Sequence, residues 1–518
     1  MLLQRWRTHI ERHQSGANAA LAVSVALSLL GYFLFHTYAG LFVDFHPDDI
    51  MNLHRALVEL RGARGIIANI LRFTTVYRPL GGVYYLTIYA IGGLDPFAFR
   101  IVTFILMIVN IGLVFLLIRS LTQNTEAAAL GALIWSYHPR LVDLYANNGT
   151  IYDVLSVMFF VSALIIYVQA RHNGNDLSIR AAAAYLISYV ASINSKEIGV
   201  TLPVITIFYE VVYNRRELRE SPPYRAIVCL CVALVLATGA TIVKRGEQSA
   251  FHGIPAYEQR LSGEQFLRNQ VHFLGELLLQ EEGNTSTSEL IASWSLLGFG
   301  ALLFRKRALL FAFGYILVTP LPVSFITTRN FFALYLTYAG WALYASCAII
   351  LARDFIWRQM IWLMPNAAAS SLQRMLPTGT FAVAIVCLCF WHSGDPYVFP
   401  ILTPDEERLP IRLTLAELQR LRPCPDAESI GKGHRILFVN DRWGPGNYNA
   451  ILLTRLVCHN PDLEVDLGWR LAAANPSVEP ALYDYVLEYH QDRLYVKRNV
   501  AVRPPESGSA AHSSDGQP

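Results

Sequence analysis

Residues 17–43 contain no Asp, Glu, Lys or Arg, and nothing else in the chain restricts its fold as much. A helix needs about 20 apolar residues to cross the hydrocarbon core of a bilayer, and within that core every backbone N–H and C=O must be paired internally. The segment is therefore read as a transmembrane helix. Arg5, Arg7 and Arg12 precede it, as they would in a cleaved signal peptide, but the run is longer than the roughly 7–15 apolar residues of a signal core. Ten more apolar segments follow, near residues 99–118, 126–140, 150–170, 181–195, 198–213, 226–243, 288–304, 308–328, 331–352 and 376–394. A further stretch, 84–94, is too short to span and predicts an interfacial or re-entrant segment.

Eleven spans predict an α-helical polytopic membrane protein. Only 16% of the residues are charged, against about a quarter in a soluble domain. The net charge of +3 is too small and too scattered to point to nucleic acid as a partner.

Lys and Arg in short loops mark the cytoplasmic side. With a cytoplasmic N-terminus, that side receives Arg5, Arg7, Arg12, Arg119, Arg171, Arg180, Arg215, Arg216, Arg219, Arg225, Arg305, Lys306, Arg307, Arg353, Arg358 and Arg374. The opposite short loops hold Lys196 and Arg329. This places two long segments, 44–97 and 244–287, on the outer face, where loops of such length are usually functional. Ile50, Leu53, Leu57 and Leu60 recur at helical spacing, as do Phe266, Val271, Phe273, Leu274 and Leu277 to Leu279. Both patterns predict helices lying flat on the membrane.

After Asp395 charge rises and prolines cluster, at 400, 404, 410, 423 and 425. The expected organisation is a membrane domain over 1–394, a small outer α/β domain over 395–505 and a disordered tail over 506–518. In the outer domain, 435–439 reads as a strand, 448–457 as a helix, and 483–496 as two strands about a turn at Gln491-Asp492. Five of the seven cysteines lie in apolar helices, where they serve as small core residues. Cys424 and Cys458 fall in the outer domain, and an oxidising compartment would allow them to pair.

Between the first span and the rest stands Asp44-Phe45-His46-Pro47-Asp48-Asp49. Acids beside a bilayer surface are poorly explained by packing, because their burial is costly, so they point to chemistry at the membrane interface. A plainer reading is also open: Asp after Pro47 can cap a helix. Further polar residues near the outer ends of the spans are Arg78, His138, Asp143, Asp153, Asn194, Lys196, Glu197 and Arg329. Ionisable groups at such depth pair with each other or line a water-filled cavity.

The acidic run resembles the first-loop motif of the GT-C glycosyltransferases, multi-spanning enzymes that use sugars linked to polyprenyl phosphates. Tyr77-Arg78-Pro79-Leu80 resembles a segment of their bacterial members. His138-Pro139, Asp143 and Asp153 are similar to a pattern in the transmembrane O-mannosyltransferases that modify cadherins. Ser195-Lys196-Glu197 resembles the Ser-Lys-Glu motif of those enzymes, and Arg329, Tyr335 and Gly340 resemble positions near their penultimate helices. The chain departs from the pattern where Asp143 stands for Glu, where Asn148-Gly149-Thr150 precedes Asp153, and in showing no tetratricopeptide tail. The acceptor is therefore not implied.

The resemblance implies inverting transfer of a hexose or pentose from a polyprenyl-phosphate donor to a protein, lipid or glycan acceptor. The setting would be the extracytoplasmic face of a bacterial inner membrane. Asp48 is the expected general base, with Asp49 supporting it and Asp44 as second candidate. Arg329 is the expected phosphate ligand, with Arg78 and Lys196 as alternatives, because guanidinium groups grip phosphate oxygens as a fork. Lys196 and Glu197 could equally form an ion pair that tightens a turn. His46, His138, Asp143 and Asp153 could hold a divalent metal, although capping by His138 is the simpler reading. A flippase for a lipid-linked sugar would need the cations but no base. A polymerase or ligase with a lipid-diphosphate donor would rely on arginines rather than on acids.

Overall fold

The apolar runs form helices, and polar breaks between them set their ends. The computed structural model describes residues 22–60, 62–72, 78–245, 257–281, 283–361, 366–393, 398, 406–424, 435–443, 445–474, 480, 483–490 and 493–498. Its first compact unit takes in Met1–Asp44 and Arg55–Asp405. In chain order, helix α1 (Ala22–Phe42) is followed by α2 (Pro47–Glu59), whose residues up to His54 belong to the second unit, then by α3 (Gly62–Arg72), α4 (Pro79–Gly92), α5 (Pro96–Thr122), α6 (Thr125–Ser136), α7 (Asp143–Ala146) and α8 (Ile151–Ala170). Then come α9 (Ile179–Ser195), α10 (Leu202–Tyr213), α11 (Arg215–Glu220), α12 (Tyr224–Arg245) and α13 (Gly263–Leu277). The unit ends with α14 (Thr287–Phe304), α15 (Arg307–Val318), α16 (Leu321–Ser324), α17 (Tyr335–Met360) and α18 (Asn366–His392).

All eleven expected spans are helical, but among the described residues only eight helices are long and apolar enough to cross a membrane. The shortfall is in α6, α9 and α10, of 12, 17 and 12 residues. Each stops or starts at a polar break. Helix α6 gives way at Tyr137 before His138-Pro139, α9 ends at the extended Lys196, and α10 begins at Leu202-Pro203. Irregular backbone at membrane depth is tolerated only where protein or an aqueous cavity surrounds it. The breaks in this chain carry the ionisable residues singled out in the sequence.

Local signals fix the other ends. Asp95 caps α5 by accepting from the Phe97 N–H ahead of Pro96, and Asn124 caps α6 through the N–H groups of Glu126 and Ala127. Buried Arg171 grips Glu210 through two bonds of 2.8 and 2.9 Å and ties α8 to α10. Residues 84–92 of the segment 84–94 form the end of α4, which buries Tyr84, Tyr85, Ile88 and Tyr89. The two amphipathic segments are helical as expected, and protein covers part of each stripe. Ile50, Leu53 and Leu60 are buried, as are Phe273, Leu274 and Leu277, whereas Leu57, Phe266 and Val271 are half-buried and Leu278 is exposed. Packing on neighbouring helices removes the buried part from solvent as a bilayer would.

The second unit takes in Phe45–His54 and Glu406–Pro518. Helix α19 (Arg408–Leu421) precedes β1 (Arg435–Phe438), α20 (Asn449–Val457), β2 (Glu464–Leu467), α21 (Gly468–Ala474), β3 (Tyr485–His490) and β4 (Arg493–Arg498). The sheet order is β2-β1-β3-β4, parallel across its first three strands and antiparallel between β3 and β4. Strand β1 pairs Arg435 with Glu464 on one side and Ile436 with Tyr485 on the other. The strands and helix expected from the sequence are present, and Cys424 and Cys458 form a disulfide. The turn Gln491-Asp492, the tail, Arg5, Arg7 and Arg12 lie outside the described residues.

Candidate functional site

Arg78 caps α4 in the left-handed region, φ 51° and ψ 72°, with Pro79 at the first helical position. A non-glycine residue there costs about 1–2 kcal/mol, and such strain persists where the surroundings over-determine it. The surroundings here are specific. The Arg78 guanidinium donates to Glu197 from Nε at 3.2 Å and from Nη2 at 2.8 Å, and it lies 5.2 Å from the centre of the Tyr152 ring. Gly81, one turn into α4, makes this approach possible, since a Cβ at that position would come within 2.0 Å of the Tyr152 ring.

The break between α9 and α10 supplies the other half of the cluster. Extended backbone at Lys196 turns its side chain into an ion pair with Asp153 in the first turn of α8, and both residues are buried. Glu197 faces Arg78 on one side and accepts from Lys244 Nζ at 3.1 Å on the other. Burial alone would raise its pKa, but Arg78 and Lys244 hold the carboxyl well below its ordinary value. Burial depresses the pKa of Lys196, with Asp153 acting against that shift. Arg329 stands 4.8 Å from the centre of the Tyr257 ring, and Arg78 stands 5.8 Å from the same ring. Cation–π contact with one tyrosine thus links the two guanidinium groups.

The cluster of Arg78, Lys196, Lys244 and Arg329 with Asp153 and Glu197 carries two more positive than negative charges. Such a surplus, held by paired carboxylates in fixed positions, suits a phosphate group. The sequence brought Arg78, Asp153, Lys196, Glu197 and Arg329 forward, and the structure joins all five. It missed Lys244, Tyr152 and Tyr257. Lys244 could have been noticed as another cation at the predicted outer end of a span, where Lys and Arg are scarce.

Asp143 opens α7 and accepts from Asn330 Nδ2 at 3.5 Å, which fastens it to the residue after Arg329. Buried His138 accepts from the Arg140 N–H at 3.3 Å through Nδ1 and donates to the Leu277 carbonyl at 3.1 Å through Nε2. Both ring nitrogens are therefore in use, as expected for a cap. Asp153 is held by Lys196. Among the described residues no three His, Cys, Asp or Glu side chains converge to hold a metal ion.

The acidic run has its own order. In the first unit, the Asp44 carbonyl accepts from buried Arg100 Nη2 at 3.1 Å. In the second unit, His46 Nδ1 accepts from the Asp48 N–H at 3.2 Å, while the His46 N–H donates to Asp49 Oδ2 at 2.9 Å. This reciprocal arrangement is a helix cap with Asp49 as its acidic member, and Asp49 is 1% exposed. The Asp48 side chain is 52% exposed, with its Oδ2 3.7 Å from His46 Nδ1. His46 also contacts Glu407 through Nε2 at 2.9 Å, just ahead of α19.

Residues 78–239 match a family model described as dolichyl-phosphate-mannose-protein mannosyltransferase. That span includes Arg78, Asp143, Asp153, Lys196 and Glu197 but not Asp48 or Arg329. No curated protein sequence matches the chain. Among solved structures, ArnT from Cupriavidus metallidurans in the apo state is 14% identical, with 94% of this chain and 98% of that chain covered at a TM-score of 0.51. The same protein bound to undecaprenyl phosphate matches with the same identity and coverage at a TM-score of 0.50. The arabinofuranosyltransferase AftD from Mycobacteria is 16% identical over 91% of this chain and 35% of its own, at a TM-score of 0.40. The protein is an integral membrane protein with the GT-C fold, as the resemblance implied.

Proposed function

We propose that this chain, a membrane protein of the GT-C glycosyltransferase fold, transfers a sugar from a polyprenyl-phosphate donor to an acceptor hydroxyl at the extracytoplasmic face of a bacterial inner membrane. The observation that carries the reading is the cationic surplus around Glu197 and Asp153. The ArnT structure bound to undecaprenyl phosphate supports the donor class, because the two chains share a fold.

The acceptor oxygen attacks the anomeric carbon as the bond from that carbon to the phosphate oxygen breaks, and the bonding pair leaves with the phosphate. A phosphodiester with one negative charge thereby becomes a phosphomonoester with a second charge developing. Arg329, Arg78, Lys196 and Lys244 stabilise that added charge, a role for fixed cations worth several kcal/mol in a site shielded from water. Asp48 takes the acceptor proton. It is the exposed member of the acidic pair, and Asp49 is occupied in the cap. A single displacement of this kind inverts the anomeric configuration.

The test is release of free polyprenyl phosphate from a panel of polyprenyl-phosphate sugars by the purified protein in lipid nanodiscs, with a crude membrane extract as acceptor. Wild type is expected to turn over one donor class. Asp48→Asn should lose at least about two orders of magnitude, the usual contribution of a general base, and Arg329→Ala should bind donor more weakly. Full turnover in Asp48→Asn would remove the base assignment. Tight, Arg329-dependent binding without turnover of any donor would favour a lipid carrier.

A further inference from the structure

The second unit presents a cluster that the transferase reading does not use. Strand β1 lies between β2 and β3, so the chain leaves β1 toward one neighbour and leaves β2 back past β1 toward the other. Right-handed crossovers put these two connections on opposite faces of the sheet, and the packing agrees. Leu471 of α21 covers Leu437 and Val486, whereas Tyr489, of opposite parity on β3, donates its hydroxyl to Thr414 of α19 at 2.8 Å, and α19 packs against α20, the helix between β1 and β2. Where consecutive connections part in this way, a crevice opens at the carboxyl ends of the strands, and ligands bind there in open α/β sheets.

Two loops meet at that point. Gly468 lets them approach, since a Cβ there would lie 2.4 Å from the Val439 carbonyl oxygen. Asn440 is fixed by paired bonds to the Tyr489 backbone, at 3.0 and 2.6 Å. Asp441 then accepts from the Trp443 N–H at 2.8 Å and from the Trp469 indole at 3.3 Å. The Trp469 and Tyr448 rings stand 6.1 Å apart, and the Arg470 guanidinium lies 5.9 Å from the centre of the Tyr448 ring. Packing accounts for part of this, since a small domain buries its aromatic rings. It does not account for Tyr448, which is 48% exposed, or for Arg470, which is exposed beside it. The Trp443 indole N–H is shielded from solvent and has no hydrogen-bond partner among the described residues.

We propose that the crevice formed by Asp441, Trp443, Tyr448, Trp469 and Arg470 is a glycan-binding site. A pyranose ring offers an apolar face of C–H groups to an aromatic ring, and its neighbouring hydroxyls match a carboxylate that accepts and a guanidinium that donates. The site binds saccharide without cleaving or forming a bond. It stands independently of the base and phosphate assignments in the transferase reading.

The test uses the full-length protein in nanodiscs on an array of hexose, hexosamine and uronic-acid oligosaccharides. Wild type and Asp48→Asn should be retained equally on one glycan class. Tyr448→Ala and Arg470→Ala, both at exposed positions, should each bind at least tenfold more weakly while release of polyprenyl phosphate in the absence of added glycan is unchanged. Retention of the Tyr448→Ala and Arg470→Ala proteins equal to wild type, or no retention of wild type on any glycan, would overturn the proposal. Absence of turnover in wild type, with its glycan retention intact, would count against the transferase reading alone.

Discussion

Lys196 and Asp153 test what a buried ion pair is for. Taking one partner away leaves the other charge stranded in an apolar setting, at a cost of about 3–5 kcal/mol, whereas replacing both by apolar residues is often neutral. Asp153→Asn is therefore expected to lower the thermal unfolding temperature of the protein in nanodiscs sharply. The double variant Asp153→Leu with Lys196→Met should recover most of that loss. If the pair also serves donor binding, the recovered protein will not release polyprenyl phosphate. Recovery of both stability and turnover would show the pair to be a fastener only. At this scale the sequence displayed the residue types but not their partners. Glu197 sits beside Lys196 in the chain, yet it meets Arg78 across 119 positions, and no local pattern announces such a meeting. The acidic pair was ambiguous for the opposite reason, because an aspartate early in a helix satisfies a cap and a catalytic role equally well until its hydrogen bonds are known.

Among elements, α2 joins the two kinds of evidence. Its periodicity was legible, but the surface that would cover its apolar stripe was not, since lipid and protein both reward the same pattern. The helix carries His54, whose Nε2 has no hydrogen-bond partner among the described residues. Burial, with Arg455 nearby, pulls this imidazole from an ordinary 6.5 down to about 4. Between those values the unfolded chain binds a proton that the folded chain refuses, so stability must decline as pH falls from about 6.5 toward 4. Thermal unfolding of the wild type over that range should show the decline, and His54→Gln should flatten it. A wild type as stable at pH 4.5 as at pH 7 would contradict the burial of this ring. The long spans were equally legible, for a run without charges admits little but a helix in a membrane. The three short ones were not, because hydropathy averages across a polar break that the backbone obeys.

For the whole molecule, the distribution of Lys and Arg makes a claim about sidedness. A membrane-impermeant thiol reagent applied to intact cells should label Arg470→Cys and spare Arg216→Cys, in a background where Cys229, Cys231, Cys347, Cys387 and Cys389 are replaced. Both sites are exposed, so only topology separates them. The reverse pattern would invert the orientation and the proposed outer-face chemistry with it. Fold class was readable from hydropathy alone, whereas the division into units was not, because Phe45–His54 belongs with the chain beyond Glu406. That membership sets an order of events during synthesis. The acidic loop leaves the ribosome early, but the segments it packs with emerge only near the end of translation, a wait of about tens of seconds at 5–20 residues per second. Until then His46 has no Glu407 to contact, and a nascent or prematurely terminated chain holds its proposed base without that support. Competence would thus arrive last, as a property of the finished polypeptide.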